Sequence, residues 1–106
     1  MGKPIIKLGD YYLEWSTIVD APVTFGMSLE DFKEYYRWQY GEQGMSELDR
    51  RLKRVDAKGT SSFGDVDVDD TISWNRAGPD ESCLSRDELY QAYCLVKPIR
   101  DGWLPR

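Results

Sequence analysis

Four aspartates crowd one short stretch, Asp65, Asp67, Asp69 and Asp70 in DVDVDD, and carboxylate oxygens at that density suit a hard divalent cation. The spacing begins like an EF-hand loop and then departs from it. The sixth position is Asp70, where glycine makes the turn, and the twelfth is Arg76, where a bidentate glutamate is required. With valines between them, Asp65, Asp67 and Asp69 read instead as one solvent-facing side of a strand, about 7 Å apart. No metal is assigned on this basis, and a divalent-metal-binding domain at 65–70, built on Asp65, Asp67 and Asp69, stands only as an alternative.

Other chemistry is thinly supplied. The chain has no histidine, which removes the commonest general base and the commonest metal ligand. Neither Cys83 nor Cys94 has a histidine partner, and nucleophile elbows and Gly-rich phosphate loops are missing from the sequence. The reading is therefore not an enzyme, with no catalytic residues and no cofactor. A helix starting near Arg86 would hold the two cysteines too far apart to bridge, so two reduced thiols are expected.

Two surfaces remain as binding candidates. Leu29 to Tyr40 (LEDFKEYYRWQY) has helical periodicity, with Leu29, Phe32, Tyr36 and Tyr40 forming the core stripe. Tyr35 lies at its border, and Trp38 sits about 120° from Phe32 among polar positions. Trp and Tyr concentrate at interface centres, so a protein-binding surface is placed at Trp38, Tyr35 and, on a neighbouring strand, Tyr12. The partner would be an unidentified protein or a second copy of the chain. The other candidate is the helix 46–58, where Arg50, Lys53 and Arg54 cluster opposite Leu48, Leu52 and Val55. These three are possible phosphate-binding residues, and a nucleic-acid-associated protein using this helix is the second reading. Charge argues against it: the net charge is −5, with 9 basic and 10 acidic residues in 1–60 and 5 and 9 in 61–106.

The elements that must position these residues follow from turns and caps. Ile5 to Leu8 and Tyr11 to Val19 flank Gly9-Asp10, a II′ hairpin signal, with Ile6, Leu8, Tyr11, Leu13 and Trp15 predicted on the core face and Lys7, Tyr12 and Glu14 opposite. Asp20-Ala21-Pro22 ends the second strand in a loop. Ser28 caps the aromatic helix, Met27 and Phe32 staple it, and Gly41 stops it. A second helix is predicted from a Ser46 cap to the residue before Gly59. Period-two apolar residues predict a strand over Phe63 to Trp74, followed by a polar loop from Asn75 to Glu81. Ser85 and Glu88 form a capping box for a third helix, with Leu84 stapling Leu89 and a stripe of Leu89, Ala92, Tyr93 and Val96. Pro98 ends it, and Trp103 and Leu104 in the tail can dock back.

The run YYLEWSTIVDAPVTFGMSLEDFKEYY, Tyr11 to Tyr36, resembles a segment of small uncharacterised accessory proteins of bacteriophages infecting actinobacteria. It carries no catalytic or binding motif, so it transfers no residue roles. The resemblance implies a phage product made inside the host cell and acting on a host protein. At 106 residues, 41% hydrophobic and 31% charged, the chain is expected to be a single globular domain, 1–106. No apolar stretch approaches the roughly 20 residues that span a bilayer, so no membrane role and a cytoplasmic location are expected. The predicted fold class is α+β, a small, mainly antiparallel sheet with an N-terminal hairpin, covered by about three helices. The leading function is a non-enzymatic protein-binding module.

Overall fold

The computed structural model describes residues 3–62, 64 and 66–95 and has the predicted α+β architecture. Strands β1 (Ile5–Leu8) and β2 (Tyr11–Ser16) form the antiparallel hairpin in the expected register, Ile6 opposite Leu13 and Leu8 opposite Tyr11. Gly9 takes φ +60°, as the first central residue of a II′ turn does. β2 stops at Ser16 rather than Val19, because the Ser16 hydroxyl accepts from the N–H groups of Ile18 and Val19 and folds the chain into a turn. The presumed loop then supplies the third strand, β3 (Ala21–Pro22), which pairs back on Trp15 and Ser16. Proline fits there because β3 is an edge strand.

Both faces of this sheet are buried, which the alternation alone does not reveal. Ile6, Leu8, Leu13 and Trp15 pack with Val68, Ile72, Leu89 and Cys94 on one side. On the other, Ile5 and Tyr12 pack with Met27, Phe32, Tyr35, Tyr36, Leu48 and Val55. The second group comes mostly from α1 (Leu29–Lys58), capped by Ser28, whose hydroxyl accepts from the Asp31 N–H. A sheet layer therefore lies between α1 and the C-terminal helices. The chain after α1 returns along β1, with Thr60 opposite Ile6 and the Ser61 N–H donating to the Ile5 carbonyl, while Met27 exchanges two backbone hydrogen bonds with Tyr12 on the far side of β2.

The predicted strand over Phe63 to Trp74 is overturned. Its centre is a short helix, α2 (Val68–Ile72), opened by a reciprocal capping box between Asp67 and Asp70. Val68 and Ile72 also satisfy an i, i+4 helical spacing, and both are buried, whereas Val66 and Trp74 are exposed. Phe63 and Asp65 lie outside the described residues. Helix α3 (Arg86–Tyr90) has the expected Ser85–Glu88 capping box and continues as one turn of π-helix over Gln91–Leu95. The wider turn shifts the predicted stripe: Cys94, five residues after Leu89, enters the core, and Ala92 is exposed. Val96, Pro98, Trp103 and Leu104 lie outside the described residues. Cys83 is exposed and Cys94 is buried. No helix among the described residues is long and apolar enough to cross a membrane.

Asn75, read from the sequence as the start of a polar loop, is the buried organiser of the segment between α2 and α3. Its amide donates to the carbonyls of Ile72 (2.6 Å) and Leu84 (2.7 Å), and its carbonyl accepts from the N–H groups of Leu84 (2.9 Å) and Ala77 (3.2 Å). Removing it leaves several backbone groups without partners, at about 1–3 kcal/mol for each that stays buried. Asn75→Ala is expected to lower the unfolding free energy in urea by at least about 2 kcal/mol, and an unchanged midpoint would refute this assignment.

Candidate functional site

The two predicted helices over 29–58 are joined directly, with a sharp bend. Gly41 adopts φ 69° and ψ −167°, a region open essentially to glycine, so it interrupts the helix as expected. The second half restarts at once, however, and Ser46 is not a cap: its hydroxyl donates to the Gln43 carbonyl. The bend follows from reach. In a straight helix Tyr36 and Arg51, 15 residues apart, would be separated by about 22 Å, yet the Arg51 guanidinium donates to the Tyr36 hydroxyl. Both halves bury residues in one cluster, Phe32 and Tyr36 before the bend and Leu48 and Val55 after it, and that packing holds the angle.

Beneath the first half lies Glu14, a carboxylate on β2 with 0% exposure. Its two oxygens accept from the hydroxyls of Tyr35 (2.5 Å) and Tyr40, and the Thr24 hydroxyl accepts from its backbone N–H (3.0 Å). Charge-assisted hydrogen bonds of this kind make a buried carboxylate tolerable where water is excluded. Burial pushes both phenols well above the usual tyrosine value, and the hydrogen bond and negative charge of Glu14 act in the same direction. Tyr40 also lies with its ring centroid 4.6 Å from that of Tyr36. A continuous set of contacts thus runs from Glu14 through Tyr40 and Tyr36 to Arg51.

Arg51, Tyr36 and Tyr40 line an open cleft of about 840 Å³ in the elbow of α1. The second half of the helix contributes Gln43, Glu47 and Arg54, and the facing wall comes from Lys3–Pro4 and from the turn containing Ile18. Ser61 and Ser62 close one end, where the Arg54 Nε donates to the Ser61 carbonyl (2.7 Å). Lys58 beside them donates to the carbonyls of Ser62 and Gly64. In this cleft burial holds the Tyr40 phenol protonated, and Arg51 and Arg54 are hydrogen-bonded to oxygen, which suits recognition of polar groups better than proton abstraction.

The residues singled out from the sequence are dispersed by this geometry. Of the three proposed for partner binding, Trp38 is at the surface, 61% exposed, with its ring 6.2 Å from that of Tyr35. It lies about 200° around the helix from Tyr36 and does not line the cleft. Tyr35 and Tyr12 are core residues, 2% and 7% exposed, because α1 covers the second face of the sheet and Glu14 draws the Tyr35 hydroxyl inward. Of the proposed phosphate contacts, Arg50 and Lys53 are exposed, whereas Arg54 turns into the cleft wall. The aspartate face does not form: Asp67 caps α2, Asp69 pairs with Arg86 (2.6 Å), and Asp65 lies outside the described residues. Among the described residues no group of three or more potential ligands is placed to hold a metal ion. The cleft residues Tyr36, Tyr40 and Gln43 were not assigned a binding role from the sequence, and Arg51 was considered only as a flanking phosphate contact of the basic helix. The one available signal was Gly41 with Gly44 between two amphipathic stretches, which permits a close bend.

Alkaline pH tests the tyrosine pair. Below the unfolded value of about 10 both states hold these protons, so their contribution is fully present there. Above it the unfolded chain ionises first, and stability falls as pH rises. Urea midpoints are expected to fall from about pH 10 upward, and less steeply in the Tyr35→Phe/Tyr40→Phe variant; identical slopes would contradict the pairing. The two elbow glycines should respond differently to alanine. Gly44→Ala drives a Cβ into that of Tyr40, while Gly41→Ala meets nothing within 4 Å and strains only the backbone. Each is expected to cost about 1–3 kcal/mol, but only Gly44→Ala should disturb the Tyr40 signal in the alkaline absorbance titration.

No protein family model, curated protein or solved structure matches this chain, and its site is read from its own residues and geometry.

Proposed function

We propose that this chain is a non-catalytic protein-binding module that receives a short segment of a partner polypeptide in the elbow of α1. The supporting observation is the cleft itself, about 840 Å³ and open to solvent. Gln43 to Arg54 along its helical wall covers about 16 Å at the helical rise, the length of about five extended residues. Tyrosine rings beside guanidinium groups match the composition of protein interface centres. A partner within the host cell agrees with the resemblance to phage accessory proteins. The reading moves the contact surface from Trp38 to the concave side of the same helix.

Site-specific photo-crosslinking tests this placement. A benzophenone side chain is introduced at Gln43 in the cleft or at Glu34, which is exposed and one helical turn from Trp38. The expected result is one discrete polypeptide segment mapped onto position 43, absent from position 34, which then binds the chain as a synthetic peptide. Adducts from position 34 alone would return the surface to Trp38, and no adduct from either would remove the proposal.

A further inference from the structure

Resting on that reading, the distribution of charge identifies the chemistry of the segment. The chain as a whole carries −5, yet among the described residues the charged ones lining the cleft are Lys3, Arg51 and Arg54 against Glu47. An excess of cations concentrated in a concavity of an acidic protein focuses positive potential there and attracts an anionic partner. Five basic residues contribute nothing to this: Arg37, Arg76 and Arg86 are paired with Glu42, with Asp20 and Glu81, and with Asp69, and Arg50 and Lys53 project from α1 without lining the cleft.

Arg51 is the group best suited to read a carboxylate. A guanidinium carries five N–H donors in a planar fork, and the bond to the Tyr36 hydroxyl uses one nitrogen and sets its orientation. Tyr36 is itself held by Tyr40, and Tyr40 by the buried Glu14, so the fork does not have to be ordered when ligand arrives. Lys3 adds a second cation from the facing wall as a mobile point charge. We propose that the segment bound in the elbow is acidic and is anchored by a side-chain carboxylate on the Arg51 guanidinium, with Lys3 as the auxiliary cation.

Fluorescence anisotropy with end-blocked hexaglutamate and hexaglutamine peptides, at salt near physiological strength, tests the proposal. Hexaglutamate is expected to bind saturably and hexaglutamine not to bind. Arg51→Gln should weaken hexaglutamate by about tenfold or more. Lys53→Gln, about 200° around the helix from Arg51, should change affinity by less than about twofold. Arg51→Lys, which keeps the charge and loses the fork, should fall between wild type and Arg51→Gln; circular dichroism of each variant verifies folding. Equal losses from Lys53→Gln and Arg51→Gln would overturn the anchor in favour of diffuse attraction. Displacement of the peptide by a single-stranded oligonucleotide with higher affinity would overturn it in favour of nucleic acid. No binding of hexaglutamate overturns the acidic assignment. A neutral or basic segment mapped onto position 43 by crosslinking would do the same while leaving the peptide-binding reading intact.

Discussion

A single buried carboxylate organises this protein. Glu14 sits at the centre of the middle strand with no water-exposed surface, and it faces the helix that covers it. An unpaired charge there would be prohibitive, so the first half of α1 is obliged to bring two hydroxyls to it. That requirement fixes both the rotation of the helix, with Tyr35 and Tyr40 inward, and its position along the sheet. Hydrophobic burial of Phe32 and Tyr36 would tolerate small slips, whereas two donors meeting one carboxylate tolerate few.

The bend at Gly41 follows from the same demand. With the first half held by Glu14, a straight continuation would carry Leu48 and Val55 away from the sheet, and both are instead in the cluster containing Ile5 and Tyr12. The reversal folds two amphipathic pieces around one core and leaves a concavity on the inner side of the angle. Its walls are held by contacts already needed for the fold: the Tyr36–Tyr40 pair, Arg51 on Tyr36, and Arg54 on the Ser61 carbonyl. Concave, mixed aromatic and cationic surfaces of this kind arise where helices meet at an angle, and here the angle is built into one element.

Local signals in the chain were legible where they act over a few residues. The Gly9-Asp10 hairpin with its register, the Ser28 cap, and the Ser85–Glu88 box all depend on neighbours in sequence. Asp67 with Asp70 obeys the same capping rule, but alternating valines favoured a strand, and the competing i, i+4 relation of Val68 and Ile72 decided the outcome. Tyr12, Tyr35 and Glu14 were misplaced for a different reason. A strand's polar face turns to solvent only if nothing packs on it, and that α1 covers this face is a long-range fact absent from strand periodicity. The cleft was illegible for the same cause, because its residues converge only after a bend whose angle is set by tertiary packing.

The segments that return along the sheet have a further consequence. Thr60 and Ser61 occupy the outer side of β1, and on the other side the last strand is two residues long, contains Pro22, and is followed by Gly26, whose N–H donates to the Tyr93 carbonyl. Among the described residues these pairings occupy both flanks of the hairpin, so strand addition, the route by which many small sheets capture peptides or stick to their own copies, is obstructed there. On the proposed peptide-binding reading, selectivity would therefore reside in side chains of the cleft rather than in backbone pairing.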